Sequence, residues 1–457
     1  MKNLESAKPQ SRTRGTKPVG GIFVLMGGFL GAGKTTSVGA LIRLLQGRGM
    51  RVGVITNDQG TGLVDTASSF QISGFRFQEG EQAAVREVTG GCFCCKADEL
   101  VGVLREMEAA IQPEVFLAEP VGSCTDLVAT VLLPLEKAYG KKFRRAPMSV
   151  VVDARRAWGH YFSKGKAAGR TLDKDVAYIY LKQLEEAEII VINKVDVLKA
   201  GQAAKLVERL GRDWPGKQIL TISARSGAGC EHWLDLLLGT ETAPTKIMKV
   251  DYERYAVGEA LLGWYNATLQ LHIKAAAGCD GNQLILRLAR SIQAELEGAG
   301  AVLAHFKMGL NRDAGILPAI QNAPAGNPTS KAKGSTSAHR QDARAPLAVV
   351  NAVQNGVRAE LSRQMEEPFH EGTLLINLRA EADPKLLASV VARHIVALSK
   401  KLTITWIEQA AFRPGKPTPT YRVTKVPVAE ARPPITGAPP LRPVRGNAPK
   451  PVRKRSK

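Results

Sequence analysis

Residues 22–35 read IFVLMGGFLGAGKT, and this stretch decides the fold of the first half of the chain. Its apolar beginning predicts a buried strand, and its end fits the phosphate-binding pattern GxxxxGK[ST]. The glycines let successive backbone N–H groups turn around phosphate oxygens, and the following helix adds the positive end of its dipole. We therefore expect Lys34 to reach the β- and γ-phosphates of a nucleotide and the Thr35 hydroxyl to bind Mg²⁺. The expected contacts of this loop are Gly28, Gly31, Gly33, Lys34, Thr35 and Thr36.

Short apolar runs recur along residues 20–245 and alternate with helical patterns. After the first strand come MRVGVITN, EVFLAEP, MSVVVDA, EIIVINK and KQILTIS. Each run is nearly continuous, which is typical of strands buried on both faces. The order predicts an α/β domain of the P-loop NTPase type with a mainly parallel sheet. Such sheets bind ligands at the carboxyl ends of their strands.

The base specificity of this site depends on the NKVD sequence at 193–196, which follows the strand EIIVI. The Asp196 carboxylate can accept hydrogen bonds from N1–H and the exocyclic amine of guanine, whereas adenine would leave this acceptor unpaired. A Ser-Ala loop after the next strand can offer a backbone N–H to guanine O6. We therefore expect GTP rather than ATP. The expected contacts of the base are Asn193, Lys194, Asp196, Ser223 and Ala224.

Two further strand ends carry acidic residues. EVFLA ends at Glu119, which can hold the Mg²⁺ shell, and Gly122 can present its N–H to the γ-phosphate. The expected catalytic set is Lys34, Thr35, Glu119 and Gly122. Asp58 in TNDQG ends the second strand at the same edge and can approach the metal or the nucleotide, but an aspartate that only forms a turn is an equal alternative.

Three cysteines crowd into GGCFCC at 90–95. The thiols of Cys92, Cys94 and Cys95 converge only if the backbone bends around a common centre, and two glycines supply that bend. Thiolates favour Zn²⁺, Cu(I) or another soft or borderline metal ion, and three of them leave one tetrahedral position open, which suits a metal in transit. The alternatives are a buried structural trio, a redox site, and a structural zinc completed by a distant residue.

The pattern changes over residues 250–410. The strand-like runs NATLQLHIKA, VLAHFKMGL, PLAVVNAV, TLLINLRA and LTITWIE surround predicted helices near 281–298 and 384–399. This order predicts a smaller α+β, ferredoxin-like C-terminal domain. A linker at 311–345 interrupts it. Several aromatic and histidine residues on these strands suit a client groove or a metal relay, but such residues are usually core: Trp264, Tyr265, His272 and His305.

Most of the net charge of +21 lies in segments that cannot bury enough apolar surface to fold. We expect a disordered basic N-terminus at 1–19 and a disordered Pro/Arg-rich tail at 411–457, besides the linker. The folded part is then nearly neutral, so nucleic acid is not an expected partner. No apolar run approaches the ~18 residues of a membrane span. The absence of a secretory pattern and the six cysteines favour a reducing, cytoplasmic location.

These motifs together resemble the CobW-type metallochaperone GTPases, relatives of the urease and hydrogenase accessory GTPases, over roughly residues 20–240. The resemblance rests on GGFLGAGKTT, TNDQG, EVTGGCFCC, AEPVG and INKVDVL in this order. It implies GTP hydrolysis coupled to delivery of zinc, cobalt or a similar metal to a client metalloprotein. It also implies roles for Gly28, Gly33, Lys34, Thr35, Glu119, Asn193, Asp196, Cys92, Cys94 and Cys95.

Two departures from the family pattern stand out. The usual Asn-Glu pair appears as Asn57-Asp58, one methylene shorter, and the seven histidines form no metal-collecting run. No activating glutamine or arginine can be assigned, so we expect slow intrinsic turnover. The alternatives are a regulatory GTPase with a structural zinc and a nucleic-acid-associated GTPase that uses its basic tail. A homodimer, the metal and the client are left open.

Overall fold

The computed structural model describes residues 21–57, 85–139, 144–162, 172–239, 247–312, 347–352, 357–399 and 402–425. Two sheets organise this part of the chain, one in each half. The expectations for the N-terminus, for Asp58, for nearly all of the linker and for the tail beyond residue 425 lie outside the described residues.

A parallel sheet wrapped by helices forms the first domain. Its strands are β1 (Ile22–Gly27), β2 (Val52–Asn57), β3 (Val85–Val88), β4 (Val115–Glu119), β5 (Arg144–Arg145), β6 (Ser149–Asp153), β7 (Ile189–Asn193) and β8 (Gln218–Thr221). Its helices are α1 (Lys34–Gly47), α2 (Ala97–Ile111), α3 (Leu133–Tyr139), α4 (Ala154–Phe162), α5 (Lys174–Glu186), α6 (Gln202–Asp213) and α7 (Cys230–Gly239). A linking helix, α8 (Tyr252–Leu261), leads to the second domain.

The order of the first sheet is β3-β2-β4-β1-β6-β7-β8, with β5 beside β1, and its strands pair in parallel. Phe23 and Leu25 of β1 pack on one face, whereas Val24 and Met26 pack on the other. Burial on both faces explains why the strands appear in the sequence as continuous apolar runs. The α/β prediction is confirmed. β1 lies in the middle of the sheet, and because the strands are parallel, the carboxyl ends of β1, β4, β6 and β7 lie at the same edge.

An antiparallel sheet forms the second domain. Its strands are β9 (Leu262–Ile273), β10 (Val302–Asn311), β11 (Leu347–Ala352), β12 (Glu360–Arg363), β13 (Glu371–Glu381) and β14 (Leu402–Phe412), and its helices are α9 (Gly281–Gly298) and α10 (Pro384–Leu398). The order is β12-β11-β10-β13-β9-β14. The four strands β10-β13-β9-β14 with the two helices have the ferredoxin-like arrangement, extended at one edge by β11 and β12. The α+β prediction is therefore confirmed.

The strands β3, β5 and β12 were not anticipated, because they have only two to four residues and lack a long apolar run. The core interpretation holds for Trp264 and Tyr265, which are buried. His272 is exposed and lies 2.9 Å from Glu371. Among the described residues, no helix is long and apolar enough to cross a membrane.

The basic tail was expected to begin at residue 411, but β14 continues to Phe412 and residues 413–425 lie along the first domain. We call residues 413–425 the C-terminal strap. The Thr420 N–H donates to the carbonyl oxygen of Cys94 at 2.8 Å, and the Val423 N–H donates to that of Ala129 at 2.9 Å. The strap needs no core of its own, because its backbone finds hydrogen-bond partners on a domain that is already folded.

Candidate nucleotide site and cysteine centre

The phosphate loop after β1 has a backbone that depends on its glycines. The φ angle is +136° at Gly28, +76° at Gly31 and +93° at Gly33. A Cβ atom on Gly28 would lie 2.3 Å from the carbonyl oxygen of Val151, and one on Gly33 would lie 2.5 Å from Nδ2 of Asn193. No side chain fits at these two positions, so the loop can curl tightly enough to turn its N–H groups toward a phosphate.

Lys34 and Thr35 begin α1 directly behind this loop. The Lys34 ammonium donates a 2.9 Å hydrogen bond to the carbonyl oxygen of Gly28. Burial lowers the pKa of Lys34, and the Glu119 carboxylate opposes that shift. The Thr35 hydroxyl donates a 2.9 Å hydrogen bond to Oε1 of Glu119. A hydroxyl beside a carboxylate is an oxygen donor pair that suits Mg²⁺. Thr36, also expected at the site, is exposed.

β4 leads into residues 120–124, which we call the switch turn. The turn lies against the phosphate loop, since a Cβ on Gly122 would be 3.0 Å from the backbone nitrogen of Leu30. From α5, the Gln183 amide donates to the carbonyl oxygens of Gly122 at 3.0 Å and Cys124 at 2.8 Å. One side-chain amide therefore holds two points of a turn that packs against the phosphate loop.

Asn193 joins three loops at the end of β7. Its Nδ2 donates to the carbonyl oxygen of Ala32 in the phosphate loop at 3.0 Å. Its Oδ1 accepts from the N–H groups of Lys194 at 2.8 Å and Ala224 at 3.0 Å. The phosphate loop, the NKVD sequence and the Ser-Ala loop are thus brought together by one buried amide.

Lys194 has a left-handed backbone, with φ of +65°. Its ammonium donates to the Gly31 carbonyl oxygen at 2.6 Å and to Oδ2 of Asp153 at 2.7 Å. Burial alone would raise the pKa of Asp153, but Lys194 and the Arg156 N–H outweigh it and lower that pKa. The sequence analysis did not identify Asp153, although it is the last residue of β6 and lies at the same edge of the sheet as the phosphate loop.

The remaining base contacts lie beside Asn193. Asp196 is exposed on a short 3₁₀ turn, Val195–Val197, so its carboxylate is accessible to an incoming base. Ser223 and Ala224 are buried, and the Ser223 N–H donates to the carbonyl oxygen of Ala228 at 3.0 Å. Apart from Asp58, which is outside the described residues, and Thr36, the structure gathers the expected nucleotide residues at one edge of the sheet.

The cysteine centre is a tight turn before α2. The sulfur of Cys92 lies 2.8 Å from that of Cys94 and 3.1 Å from that of Cys95, and the last two are 3.7 Å apart. Zinc bonds of ~2.3 Å at tetrahedral angles require sulfurs about 3.8 Å apart. The three thiols therefore fit around one ion after an expansion of roughly 1 Å or less.

Asn57, at the end of β2, holds this turn in place. Its Nδ2 donates to the carbonyl oxygens of Val88 at 2.9 Å and Gly91 at 2.7 Å, and its Oδ1 accepts from the N–H of Phe93 at 2.8 Å. Gly90 supplies a left-handed bend with φ of +71°. The sequence alone assigned no structural role to Asn57. Its hydrogen bonds show that it positions the cysteine turn.

A fourth thiol, that of Cys124, also faces this centre. Hydrogen bonds from Cys124, Cys94 and Cys95 hold the pKa of Cys92 well below its usual value. Hydrogen bonds with Cys124, Cys92 and Cys95, together with burial, raise the pKa of Cys94, whereas the hydrogen bond with Cys92 and burial raise the pKa of Cys124. The hydrogen bond to Cys92 raises the pKa of Cys95 to about 11. Cys92 is therefore the thiol of the group that ionises most readily, and sequence spacing had suggested only Cys92, Cys94 and Cys95.

The C-terminal strap crosses the cysteine turn. The Thr418 N–H points to the Cys95 sulfur at 3.3 Å, and the Thr420 hydroxyl donates to the Cys95 carbonyl oxygen at 2.9 Å. Arg422 anchors the strap through a 2.7 Å hydrogen bond to Oδ2 of the buried Asp126, which also accepts from the Tyr252 hydroxyl at 2.7 Å. The strap therefore covers the half-buried member of the cysteine centre.

Residues 22–221 match the family described as CobW/HypB/UreG, nucleotide-binding domain. A zinc-regulated GTPase metalloprotein activator 1 from Dictyostelium discoideum is 24% identical over 204 residues, which cover 41% of this chain and 42% of that protein. A zinc chaperone CobW from Sinorhizobium sp is 25% identical over 231 residues, which cover 47% of this chain and 62% of that protein. The chain thus spans less than two thirds of the length of these two curated relatives.

Among solved structures, the hydrogenase maturation factor HypB from Archaeoglobus fulgidus aligns with 48% of this chain and 90% of its own. The sequence identity is 20% and the TM-score is 0.32.

Proposed function

We propose that this protein hydrolyses GTP and uses the cycle to deliver a transition metal to a client metalloprotein, since residues 22–221 match the CobW/HypB/UreG family of nucleotide-binding domains. Zinc is the first candidate metal, and cobalt or a similar ion is the competitor. The observation that carries the metal role is the group of three thiols on the domain that also holds the phosphate loop. The names of two relatives, a zinc chaperone and a zinc-regulated GTPase metalloprotein activator, support the choice of zinc.

The nucleotide half of the proposal rests on the phosphate loop. Water attacks the γ-phosphorus, the bond to the β–γ bridging oxygen breaks, and GDP and phosphate leave. The Lys34 ammonium and the loop N–H groups offset the charge that builds on the phosphate oxygens. Thr35 and Glu119 would hold Mg²⁺, which supplies further positive charge to those oxygens. Lys34 exchanges its bond to the Gly28 carbonyl for a bond to phosphate.

Base recognition is assigned to the loops that Asn193 joins. The Asp196 carboxylate accepts from the two guanine donors, and the Ser223-Ala224 loop, held beside the NKVD sequence by Asn193, offers a backbone N–H to O6. An adenine base would leave the carboxylate without these donors. This difference is the proposed origin of the preference for GTP.

The metal half uses the cysteine centre. Each thiol that binds the metal gives its proton to solvent, and neither sulfur nor metal changes oxidation state. Three thiolates bind a soft or borderline ion but leave one tetrahedral position for a donor of the client. An open position favours transfer over storage, since the client can begin to bind the ion before the cysteines release it.

A GTPase assay with the purified full chain tests the nucleotide half. We expect slow release of phosphate from GTP and none from Lys34→Ala. The matched control is Lys205→Ala, which removes an exposed lysine of α6 and should leave turnover unchanged. Substantial hydrolysis by Lys34→Ala would remove the phosphate loop from the proposal.

A metal titration tests the other half. Zn²⁺ and Co²⁺ are titrated into the protein with GDP·Mg²⁺ and then with a non-hydrolysable GTP analogue, and metal affinities should differ about 5- to 150-fold. Cys94→Ser should bind metal far more weakly in both states, because a hydroxyl is not deprotonated near neutral pH. Equal affinities in both states, with zinc that survives hydrolysis and chelator washing, would instead indicate a regulatory GTPase with a structural zinc.

A further inference from the structure

The hydrogen bonds between the C-terminal strap and the surface beneath it run in one direction. In each bond that joins strap residues 418–423 to this surface, the strap supplies the donor and the surface supplies the acceptor. The acceptors are the carbonyl oxygens of Cys94, Cys95, Ala129 and Met248, the Cys95 sulfur, and the carboxylates of Asp98 and Asp126. The surface therefore suits an extended segment that is rich in N–H, hydroxyl and guanidinium groups.

One of these acceptors is left open by the local helix. Ala129 lies in a π-helical turn, in which carbonyl oxygens accept from the N–H five residues later. For Ala129 that residue is Pro134, which has no N–H. The Val423 N–H of the strap donates to this carbonyl oxygen instead, at 2.9 Å. A buried backbone acceptor needs a partner, so a segment that replaces the strap must bring an N–H to the same point.

A second acceptor requires a positive charge. Asp126 is 1% exposed, and its Oδ2 accepts from Nε of Arg422 at 2.7 Å. The Arg422 guanidinium also donates to the Met248 carbonyl oxygen at 3.3 Å and lies 5.8 Å from the centre of the Tyr252 ring. Removal of one partner from such a pair leaves a buried charge uncompensated, which is strongly unfavourable. A segment that displaces the strap must therefore place a cation at Asp126, and this requirement selects among partners.

The strap has the properties of an exchangeable peptide. Pro417 and Pro419 flank Thr418 and have no N–H, so the donors of this stretch fall at every second residue and can point to the same side. Proline also favours an extended backbone in the residue before it. The outer side of the strap is open to solvent, since Thr418, Thr420 and Tyr421 are exposed. Polar bonds to an extended backbone are a common way to hold a peptide on a folded domain.

We propose that the surface beneath the strap is the docking site for an extended, cationic segment of the client, and that the strap is its internal substitute. This inference rests on the proposed function and adds the chemistry of the partner. The client segment carries a cation for Asp126 and backbone or hydroxyl donors for the cysteine turn. When it displaces the strap, it passes beside the Cys95 sulfur, where the Thr418 N–H now points, and brings a metal-binding side chain to the cysteine centre.

The binding test uses a synthetic peptide with the sequence of residues 413–425 and a fluorophore at its N-terminus. Fluorescence anisotropy compares two full-length proteins without metal or nucleotide: the wild type, and a double variant with Thr420→Pro and Arg422→Ala, whose own strap has lost a backbone donor and its cation. The peptide should bind the double variant. It should bind the wild type roughly 10- to 100-fold more weakly, because the tethered strap competes at an effective concentration of ~1 mM.

Three controls accompany this test. A peptide that carries Arg422→Ala should not bind the double variant, and Lys425→Ala in the full chain, which removes an exposed cation of the strap, should behave like the wild type. Thr420→Pro alone keeps the pair with Asp126 and should give an intermediate affinity, so the test does not depend on the double variant. Circular dichroism checks that each protein is folded. A peptide that binds neither protein, or binds both equally, would overturn the proposal.

A transfer assay separates this inference from the function on which it rests. Zinc-loaded wild type and double variant are mixed with an excess of a chromogenic chelator. The double variant should lose zinc roughly 10- to 100-fold faster, since the wild-type site is open only in a corresponding fraction of molecules. Added strap peptide should restore the slow rate. Equal rates in the two proteins would show that the strap does not close the site. If neither protein binds zinc, the proposed metal role itself fails, while the peptide result, obtained without metal, is unaffected.

Discussion

Thr35 and Glu119 are joined by a 2.9 Å hydrogen bond from Oγ1 to Oε1, although 84 residues separate them in the chain. Thr35 is the second residue of the helix behind the phosphate loop, and Glu119 ends the strand that leads into the switch turn. Parallel pairing of β1 with β4, in which Leu25 faces Ala118, brings the two ends together. The pair therefore joins the helix behind the phosphate loop to the strand before the switch turn, where the proposed function would place Mg²⁺.

The first prediction concerns the charge of Glu119. Glu119→Gln keeps an oxygen that can accept from Thr35 but removes the negative charge that Mg²⁺ requires. We expect GTP turnover to fall about 10- to 100-fold, as losses at metal-supporting residues do, while binding of GDP without Mg²⁺ changes little. The measurement is phosphate release over a Mg²⁺ titration. Wild-type turnover at the same Mg²⁺ concentration would show that Glu119 is not part of the metal shell.

The second prediction concerns the base. Asp196→Asn should weaken GTP binding and favour xanthosine triphosphate, because an amide can donate to O2 of xanthine where the carboxylate accepted from the guanine amine. Competition between the two nucleotides on the variant measures this change. Asp213→Asn, at the end of α6, is a control that removes a carboxylate of the same domain and should keep the preference for GTP. Unchanged GTP affinity in Asp196→Asn would mean that the base binds elsewhere.

The third prediction concerns the C-terminal strap. Arg422→Ala leaves the buried Asp126 carboxylate with only the Tyr252 hydroxyl among its described partners, and loss of one member of a buried pair costs up to about 3–5 kcal/mol. Part of that cost is avoided if the strap detaches and water reaches Asp126. We therefore expect Cys95 to react faster with a thiol reagent, measured by mass spectrometry of the modified peptide.

The matched control for the strap is Lys416→Ala, which removes an ion pair between exposed side chains, Lys416 and Glu253. Exposed pairs contribute little to stability, so this variant should leave Cys95 protected. Equal reactivity of Cys95 in the wild type and Arg422→Ala would show that the strap does not control access to the cysteine centre.

The fourth prediction concerns pH. Burial raises the pKa of Glu381 from 4.5 to about 7, although its carboxylate accepts from the Asp173 N–H at 3.1 Å. A raised pKa favours the protonated acid in the folded state, so the contribution to stability is present below pH 4.5 and lost as the pH rises to about 7. Glu381→Gln should therefore stabilise the protein by about 1–2 kcal/mol above pH 7, after allowance for partial exposure, and change little near pH 4.

Thermal or denaturant unfolding over this pH range measures the effect of Glu381→Gln. A difference for Glu381→Gln that did not grow between pH 4.5 and 7 would contradict the assigned cause of the shift.

Elements with strong local patterns were predicted well. The runs that became β1, β2, β4, β6, β7 and β8 are apolar without interruption, because both faces of a central parallel strand are buried. The phosphate loop was also predictable from its glycines, since Gly28, Gly31 and Gly33 have positive φ angles that other residues rarely adopt. The four-residue β3 and the two-residue β5 have no such pattern, since they exist only by pairing with longer strands.

Glycine spacing, apolar periodicity and the order of motifs are local properties, and they were sufficient to predict the α/β domain, the position of the NKVD loop at the end of β7, and the three-cysteine turn. Cys124 is different, because nothing in GSCTD indicates that its thiol faces Cys92. The Thr418 N–H meets the Cys95 sulfur across 323 residues of chain, and Asn57 meets Phe93 across 36. Contacts of this kind depend on how separate elements pack and which backbone groups remain to be paired, so only the tertiary structure decided what surrounds the cysteine centre.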